Sequence, residues 1–210
     1  MLTMDDDIVA IGGDLAPATL IAAYRRGIFP WPADDVPLLW YCPMARAILR
    51  FENLRIGRNL ARARRRSDLR FTIDSAFEEV IRACAAMKRP DQQGTWITAE
   101  MVEAYIALHH QGIAHSVEAW RGNTLVGGLY GVDAGGCFGG ESMFHHETDA
   151  SRLALLHLVD HLRTRGVEWI DCQVMTPHFE RLGAEEVPRP DFLAMLNAAL
   201  AEKRDLFGPA

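Results

Sequence analysis

Two apolar segments of this chain carry polar side chains that could perform acid–base chemistry. Asp171 and Gln173 lie in an otherwise largely apolar segment at residues 167–174, and Glu141 lies in a second segment at residues 138–144. Side chains alternate between the two faces of a β-strand, so Asp171 and Gln173 should point the same way. A carboxylate on a buried strand must be paired, neutralised or functional, because an isolated buried charge is costly. The three residues therefore predict a polar site in an apolar pocket.

Structural explanations compete with this interpretation. Asp171 could instead cap a nearby helix or pair with an arginine, and Glu141 could form a structural salt bridge. The amide of Gln173 on the same strand face favours a catalytic or substrate-orienting role for Asp171.

A cluster of arginines opposes the overall charge of the chain. The net charge is −6, which by itself argues against a nucleic-acid partner, yet residues 46–70 contain nine arginines and only two acidic residues. A guanidinium binds phosphate oxygens bidentately, so the cluster indicates contact with a phosphate backbone. A solvated helix face is the alternative explanation.

The composition fits one good hydrophobic core and a small second domain. The chain has 210 residues, of which 49% are hydrophobic,. No apolar run approaches the ~20 residues of a membrane span, and the N-terminus lacks the features of a signal peptide, so we expect a cytoplasmic protein without a membrane partner. The four cysteines are widely spaced, and they predict neither a disulfide framework nor a metal site.

The first 50 residues are expected to form a small N-terminal α/β domain. A helix at residues 17–26 begins near Pro17 and ends at Gly27,. Strands are predicted at residues 38–41 and 47–51. The arginine-rich segment 55–70 lies near the junction with the second domain, and residues 53–67 are predicted to be helical.

Residues 51–210 are expected to form one larger α/β (α+β) domain. Ser75 and Glu78 fit a capping box for one helix, and Thr98 caps the next. Three close strands follow, then a helix capped by Thr148 or Asp149, the strand of Asp171 and a last helix. The predicted spans are 70–73, 75–87, 98–112, 115–120, 124–132, 137–144, 148–166, 170–174 and a helix from residue 190.

This order of elements resembles the GNAT acyltransferase fold, whose sheet is mixed and mainly antiparallel. In that fold the phosphates of coenzyme A lie on a Gly-rich loop before the helix that follows the third meander strand. Residues 145–150 occupy that position here and contain no glycine, while Glu147 and Asp149 would repel a pyrophosphate. The sequence therefore predicts a GNAT-like domain without the usual cofactor site.

A series of short motifs, in order along nearly the whole chain, resembles the bacterial leucyl/phenylalanyl-tRNA–protein transferase family. The motifs are Gly12-Gly13-Asp14-Leu15, Tyr24-Arg25-Arg26-Gly27-Ile28-Phe29-Pro30-Trp31, Gly94-Thr95-Trp96-Ile97-Thr98, His115-Ser116-Val117-Glu118, Gly127-Gly128-Leu129-Tyr130-Gly131, Gly140-Glu141-Ser142-Met143-Phe144 and Ile170-Asp171-Cys172-Gln173-Val174. One departure is Thr176, where an Asn is common in the family.

The resemblance implies an aminoacyltransferase with a GNAT-like catalytic domain and no cofactor. Such enzymes move Leu or Phe, and possibly Met, from aminoacyl-tRNA to the α-amine of proteins that begin with Arg or Lys, which marks those proteins for degradation. The expected partners are thus Leu-tRNA, Phe-tRNA and the acceptor proteins, and a monomer is expected.

The resemblance also implies roles for particular residues. Asp171, Gln173 and Glu141 are assigned to the catalytic centre. Asp171 takes a proton from the amine, directly or through Gln173, or it only orients groups while the tRNA relays the proton. The remaining assignments are an aminoacyl pocket of Leu129, Phe138, Met143, Leu155, Leu158 and Ile170, adenosine stacking by Trp31 and Trp96, and tRNA binding by Arg58, Arg62, Arg65 and Arg66.

Two other function classes remain open at this point. One is a GNAT-like N-acyltransferase that uses an acyl-CoA, which the absent glycine loop disfavours. The other is a non-catalytic RNA-binding module, which explains the arginines but not Asp171 and Gln173.

Overall fold

The computed structural model describes residues 4–32, 36–87 and 96–208 and contains two β-sheets. Gly94 and Thr95, the first residues of one of the shared motifs, lie outside the described residues. The smaller sheet is antiparallel and contains β1 (Ile8–Ile11), β2 (Phe29–Trp31) and β3 (Leu39–Tyr41) in the order β1-β3-β2. Helix α1 (Pro17–Tyr24) precedes β2 and ends two residues earlier than predicted, and Gly27 with φ +74° turns the chain into the strand.

The larger sheet has seven strands in the order β10-β4-β9-β8-β7-β6-β5. Only the β8–β9 pair is parallel among these described strands. The prediction of a mixed α/β protein with a mainly antiparallel sheet is therefore confirmed. The strands are β4 (Ala45–Arg50), β5 (Arg70–Ile73), β6 (Ala114–Arg121), β7 (Thr124–Asp133), β8 (Phe138–His145), β9 (Trp169–Gln173) and β10 (Glu185–Pro188).

Six further helices cover the larger sheet. They are α2 (Arg58–Arg66), α3 (Phe77–Ala86), α4 (Ala99–His110), α5 (Ala150–Thr164), α6 (Pro177–Leu182) and α7 (Arg189–Glu202), and short 3-10 turns occupy Met4–Asp7 and Phe51–Asn53. The central strands separate two apolar cores, because the neighbours Leu129 and Tyr130 on β7 belong to different clusters. One core lies under α5, and the other lies under α3 and α4.

The division into two domains at residue 50 stays a prediction. Strand β4 hydrogen-bonds to β9 and β10 of the larger sheet, although it lies before that predicted boundary. Strand pairing thus groups residues 45–50 with the larger sheet.

Three helix starts were assigned caps by the sequence, with different outcomes. Asp149, one of the two candidates at α5, occupies the N-cap position, but its side chain makes no capping hydrogen bond. Thr98 caps α4 by accepting a hydrogen bond from the Met101 backbone N–H at 3.2 Å, as predicted. The capping box of Ser75 and Glu78 was wrong, because no side chain of that kind caps α3. Instead, the buried carboxylate of Glu118 on β6 accepts the Ser75 and Ala76 backbone N–H groups at 3.3 and 3.4 Å.

An irregularity in β8 shapes the centre of the larger sheet. The register of β7 and β8 shifts between the pairs Gly131–Gly140 and Tyr130–Ser142, so Glu141 is the extra residue of a β-bulge,. Strand β8 pairs with β9 at Gly139 and Asp171. Beyond that point side chains connect the two strands, since the Gln173 Nε2 donates to Glu141 Oε1 at 2.6 Å. The bulge thereby aims a carboxylate at the seam between the parallel strands.

Candidate active site

A cavity of about 470 Å³ opens at the seam between β8 and β9. Its wall includes all the side chains that the sequence assigned to the catalytic centre and to stacking, namely Glu141, Asp171, Gln173, Trp31 and Trp96. It also includes all six residues of the predicted aminoacyl pocket: Leu129, Phe138, Met143, Leu155, Leu158 and Ile170. The structure therefore brings these residues together around one space, while their individual roles remain predictions.

The deep side of the cavity is apolar and well packed. Leu129, Leu155 and Leu158 are buried in the core under α5, and Phe138 and Ile170 belong to the same cluster. Met143 is partly buried and packs against that cluster. An unbranched thioether can change rotamer at little cost, so this wall can accept apolar groups of different shape.

Arg46 of β4 forms a buried ion pair with Asp171. The Nε and Nη2 atoms of Arg46 donate to the two carboxylate oxygens of Asp171 at 2.8 and 2.6 Å. The guanidinium lies between the rings of Phe29 and Phe192, at 4.6 and 4.5 Å from their centroids, and it also donates to the Gly27 carbonyl. Burial disfavours the charged guanidinium, but the adjacent carboxylate holds the pKa of Arg46 above its ordinary value. Asp171 therefore does pair with an arginine, as the structural explanation predicted.

Gln173 links Asp171 to Glu141. Its backbone N–H donates to Asp171 Oδ1 at 2.8 Å, and its side-chain Nε2 donates to Glu141 Oε1 at 2.6 Å. Gln173 has a φ of +62°, in the left-handed region that few non-glycine residues adopt,. Such a backbone conformation persists only where surrounding contacts enforce it, and here the Asp171 carboxylate does so by accepting the Gln173 backbone N–H,. In this conformation the side-chain amide of Gln173 reaches across the seam to Glu141.

Hydrogen-bonding groups from three parts of the fold surround the Glu141 carboxylate. Besides Gln173, the Tyr24 hydroxyl of α1 donates to Oε1 at 2.7 Å, and the Tyr105 hydroxyl of α4 lies 3.4 Å from Oε2. The two tyrosine hydroxyls also hydrogen-bond each other. Burial raises the pKa of Glu141 to about 7, against the hydrogen bonds from Tyr24 and Gln173, which lower it. A carboxyl group with this pKa can exchange a proton near neutral pH.

Trp31 and Trp96 stack on each other beside the cavity. Their ring centroids are 5.9 Å apart and their planes differ by 16°. Trp31 comes from β2 of the smaller sheet and is also in contact with the ring of Tyr41, with the two centroids 5.8 Å apart. A hydrophobic plug is the alternative role for both residues. Their mutual stacking on the cavity wall is compatible with a platform for a base.

The four predicted tRNA-binding arginines lie on α2, away from the cavity wall. Their side chains are exposed, and in the described part of the chain none of them forms an ion pair. Other arginines of the basic segment are engaged, since Arg64 pairs with Asp160 and Arg50 with Glu185. The four are Arg58, Arg62, Arg65 and Arg66, and α2 packs against α5, which forms part of the cavity wall. They therefore form an exposed cationic face on a helix that packs against α5.

The position of the coenzyme A loop in the GNAT fold does not fit a pyrophosphate here. Asp149 is the N-cap of α5 and adopts a left-handed φ of +66°, and its carboxylate pairs with Arg152 at 3.0 Å. Glu147 pairs with Arg121 at 2.7 Å. Carboxylates thus stand where backbone N–H groups would have to bind phosphate.

Metal ligands and membrane-spanning helices are both absent from the part of the chain that the structure describes. Within residues 4–32, 36–87 and 96–208, no cluster of three or more His, Cys, Asp or Glu residues is arranged to hold a metal ion. None of the helices in these ranges is long and apolar enough to cross a membrane.

Sequence reasoning missed three residues of the polar centre. Tyr24, Tyr105 and Arg46 were not assigned to it, and Arg46 was counted in the basic cluster although it is buried. The available signal was its position among Ala45, Ala47 and Ile48, which are typical of a buried strand.

Comparison with known proteins identifies the family of this chain. Residues 48–197 match the family model described as leucyl/phenylalanyl-tRNA protein transferase, and residues 13–44 match the model of the N-terminal domain of that family. The chain belongs to this family. It is therefore an aminoacyltransferase.

Several relatives support this assignment over almost the full chain. The leucyl/phenylalanyl-tRNA–protein transferase of Anaeromyxobacter dehalogenans (strain 2CP-C) is 53% identical over 201 residues, which cover 96% of this chain and 86% of that protein. The proteins of the same name from Syntrophus aciditrophicus and Pseudoalteromonas translucida are each 48% identical. They cover 95% and 97% of this chain, and 83% and 85% of their own lengths.

Proposed function

We propose that this protein transfers Leu or Phe, with Met as a further candidate, from aminoacyl-tRNA to the α-amine of proteins that begin with Arg or Lys. The observation that carries the proposal is the shared cavity. An apolar pocket, a hydrogen-bonded Glu141–Gln173–Asp171 centre and two stacked tryptophans all line the same space of about 470 Å³.

The reaction needs positioning and proton transfer rather than activation. An aminoacyl ester is already an activated acyl group, so neither ATP nor a metal has to raise its reactivity. The protein must hold the ester against the amine, accept a proton and stabilise the tetrahedral oxyanion. Glu141, Gln173 and Asp171 supply the polar groups for these tasks at the end of the apolar pocket.

The apolar wall selects the amino acid. A pocket lined by Leu129, Phe138, Met143, Leu155, Leu158 and Ile170 excludes charged side chains because their burial without a partner is costly,. Discrimination among apolar side chains should be modest, because one methylene is worth only ~1–3 kcal/mol.

The tRNA is held by stacking and by charge. Trp31 and Trp96 offer aromatic faces to the terminal adenosine, and the exposed arginines of α2 neutralise phosphates of the acceptor stem,. These contacts do not read an anticodon. Specificity then comes from the attached amino acid.

The acceptor should carry a positive charge beside its amine. The Glu141 carboxylate, which has no cation in contact with it in the described part of the chain, favours an Arg or Lys side chain there, since opposite charges attract strongly in a partly desolvated site,. Because its donor is a cytoplasmic aminoacyl-tRNA, we infer that the protein works in the cytoplasm. We further infer that it acts as a monomer and that the transferred residue marks its acceptors for degradation.

The choice of donor separates this proposal from a CoA-dependent acyltransferase. The test offers one peptide beginning with Arg to the protein, with either labelled Leu-tRNA or labelled leucyl-CoA as donor. We expect labelled peptide from Leu-tRNA alone, because Glu147 and Asp149 oppose pyrophosphate binding at the N-terminus of α5. Transfer from leucyl-CoA at a comparable rate would overturn the proposal. Binding of tRNA without transfer from either donor would leave an RNA-binding module.

A further inference from the structure

The two carboxylates of the seam, Asp171 and Glu141, differ in the hydrogen bonds that their oxygens already accept. Asp171 Oδ1 accepts Arg46 Nε and the Gln173 backbone N–H, both at 2.8 Å, and Oδ2 accepts Arg46 Nη2 at 2.6 Å. Its charge is matched by a guanidinium in contact, and both partners are buried. A carboxylate in such a pair is fixed in place, and both of its oxygens already accept hydrogen bonds from within the fold,.

Glu141 differs from Asp171 in its partners. The groups around its carboxylate are neutral, namely the hydroxyls of Tyr24 and Tyr105 and the amide of Gln173. Oε1 accepts the two short bonds, whereas Oε2 has only the long contact of 3.4 Å to Tyr105 among its described contacts. Glu141 is also partly exposed on the cavity wall, whereas Asp171 is 6% exposed. Oε2 is thus the carboxylate oxygen of the seam that is free to receive a proton.

We propose that Glu141 is the proton acceptor of the transfer reaction, and that Asp171 and Arg46 are positioning residues that hold the Gln173 backbone and, through its amide, Glu141. This inference rests on the proposed function. It concerns only which side chain handles the proton.

The proton and the bonds balance within this assignment. The unprotonated α-amine attacks the ester carbonyl, and a C–N bond forms as the carbonyl oxygen takes up the electron pair. The nitrogen, now positively charged, gives one proton to the Glu141 carboxylate. The tetrahedral intermediate collapses, the C–O bond to the ribose of the terminal adenosine breaks, and the leaving oxygen receives the proton from Glu141. The products are an amide and a tRNA with a free hydroxyl, and Glu141 is again ionised.

The protonation equilibrium of Glu141 suits this role. Burial raises its pKa to about 7, while the nearby Asp171 raises it and Arg46 lowers it. A base works best when its pKa lies near the working pH, and the α-amine of a peptide titrates at about 8. Asp171 and Arg46 shift the pKa of Glu141 in opposite directions, so removing both charges together disturbs that pKa less than removing the larger of the two effects alone.

The test compares pH profiles of Leu transfer from Leu-tRNA to one Arg-initiated peptide. The variants are Glu141→Gln and the double variant Arg46→Gln with Asp171→Asn, which removes both charges of the buried pair together. Dividing the wild-type rate by the Glu141→Gln rate cancels the titration of the acceptor amine. We expect this ratio to be flat above pH 8, at roughly 100-fold, and to fall about tenfold per pH unit below pH 7.

The double variant distinguishes a base from a positioning group. We expect its rate to be lower than that of the wild type at every pH, but its rate divided by the Glu141→Gln rate should still fall below pH 7. The same ratio for Glu141→Asp should also fall at acidic pH. If the ratio of wild type to Glu141→Gln is the same at every pH, while the ratio of wild type to the double variant falls below pH 7, Asp171 is the base and the inference is wrong. A wild-type protein that transfers nothing would instead reject the proposed function itself.

Discussion

Arg46 donates to both carboxylate oxygens of Asp171 across 125 residues of sequence. The pair connects β4 with β9, and the Arg46 guanidinium is sandwiched between Phe29 of the smaller sheet and Phe192 of α7. One ion pair therefore ties the smaller sheet, the larger sheet and the last helix to the strand that lines the cavity. The ion pair therefore contributes to the stability of the fold as well as to the geometry of the site.

The first prediction concerns the stability of this pair. Arg46→Gln leaves the Asp171 carboxylate buried without its cation, so we expect the free energy of unfolding to fall by about 3–5 kcal/mol. The double variant Arg46→Met with Asp171→Leu should recover most of that loss, because two apolar side chains replace the pair at similar volume. Urea denaturation measures both. A single variant that loses less than about 1 kcal/mol would mean that water reaches the pair and compensates for it.

The second prediction concerns the pH dependence of folding through Glu141. Its pKa is about 7 in the folded protein, above the value of about 4.5 for the free side chain, so the folded state binds this proton more tightly. The protonated group therefore stabilises the fold below pH 4.5, and that contribution is lost as the pH rises to 7. The full difference is about 3 kcal/mol at 1.36 kcal/mol per pKa unit.

The Glu141→Gln variant provides the control for this pH effect. It keeps the shape of the side chain and cannot ionise, so wild type minus variant isolates the contribution of Glu141. Urea denaturation at pH 5 and pH 8 should show a larger difference in unfolding free energy at pH 5. An equal difference at both pH values would contradict the raised pKa.

The third prediction concerns the cationic face of α2. Neutralising Arg58, Arg62, Arg65 and Arg66 to Gln should weaken tRNA binding and make the salt dependence of log K shallower by roughly 3, at about 0.7–0.9 for each phosphate that is no longer neutralised. The effect should be independent of the amino acid on the tRNA. Filter binding across a salt series measures both quantities.

Arg64 supplies a matched control on the same helix. Its guanidinium already pairs with Asp160, so Arg64→Gln should change the salt slope by less than about 1,. An unchanged slope in the fourfold variant, or an equal change in the control, would show that the tRNA phosphates bind elsewhere.

The fourth prediction concerns the stacked tryptophans. Trp96→Ala removes an aromatic face beside the cavity, and we expect the affinity for aminoacyl-tRNA to fall by about 1–3 kcal/mol,. Trp96→Phe keeps a smaller face and should lose less. Titration of an aminoacylated adenosine analogue, followed by quenching of tryptophan fluorescence, gives the affinities. Equal affinity in the Ala variant would indicate that the ring only plugs the gap beside Trp31.

The strands around the site could be predicted closely because their local signals are strong. Gly122-Asn123 and Gly135-Gly136 mark the turns, and the predicted strands at 115–120, 124–132 and 137–144 correspond to Ala114–Arg121, Thr124–Asp133 and Phe138–His145. Apolar runs between glycine turns leave few alternatives. The short strands β1, β2 and β10 and the helix α6 were not predicted, since segments of three to six residues carry little periodic signal.

The partners of the site residues could not be predicted in the same way. Side-chain alternation indicated that Asp171 and Gln173 belong together, but nothing local places Arg46 or Tyr24 beside them. The bulge at Glu141 also breaks the regular alternation of side chains from which the direction of a strand residue is predicted. Contacts between residues that are distant in sequence depend on the packing of the whole fold, and a pair of charges leaves no periodic pattern in the sequence.

The most direct measurement of the central claim is Leu transfer to two peptides that differ only at the amine. Both begin with Arg, one with a free α-amine and one acetylated, and labelled Leu-tRNA is the donor. The account predicts label on the free-amine peptide alone, because the attacking nitrogen must be an unblocked amine next to a cationic side chain. Label on both peptides, or on neither, would contradict it.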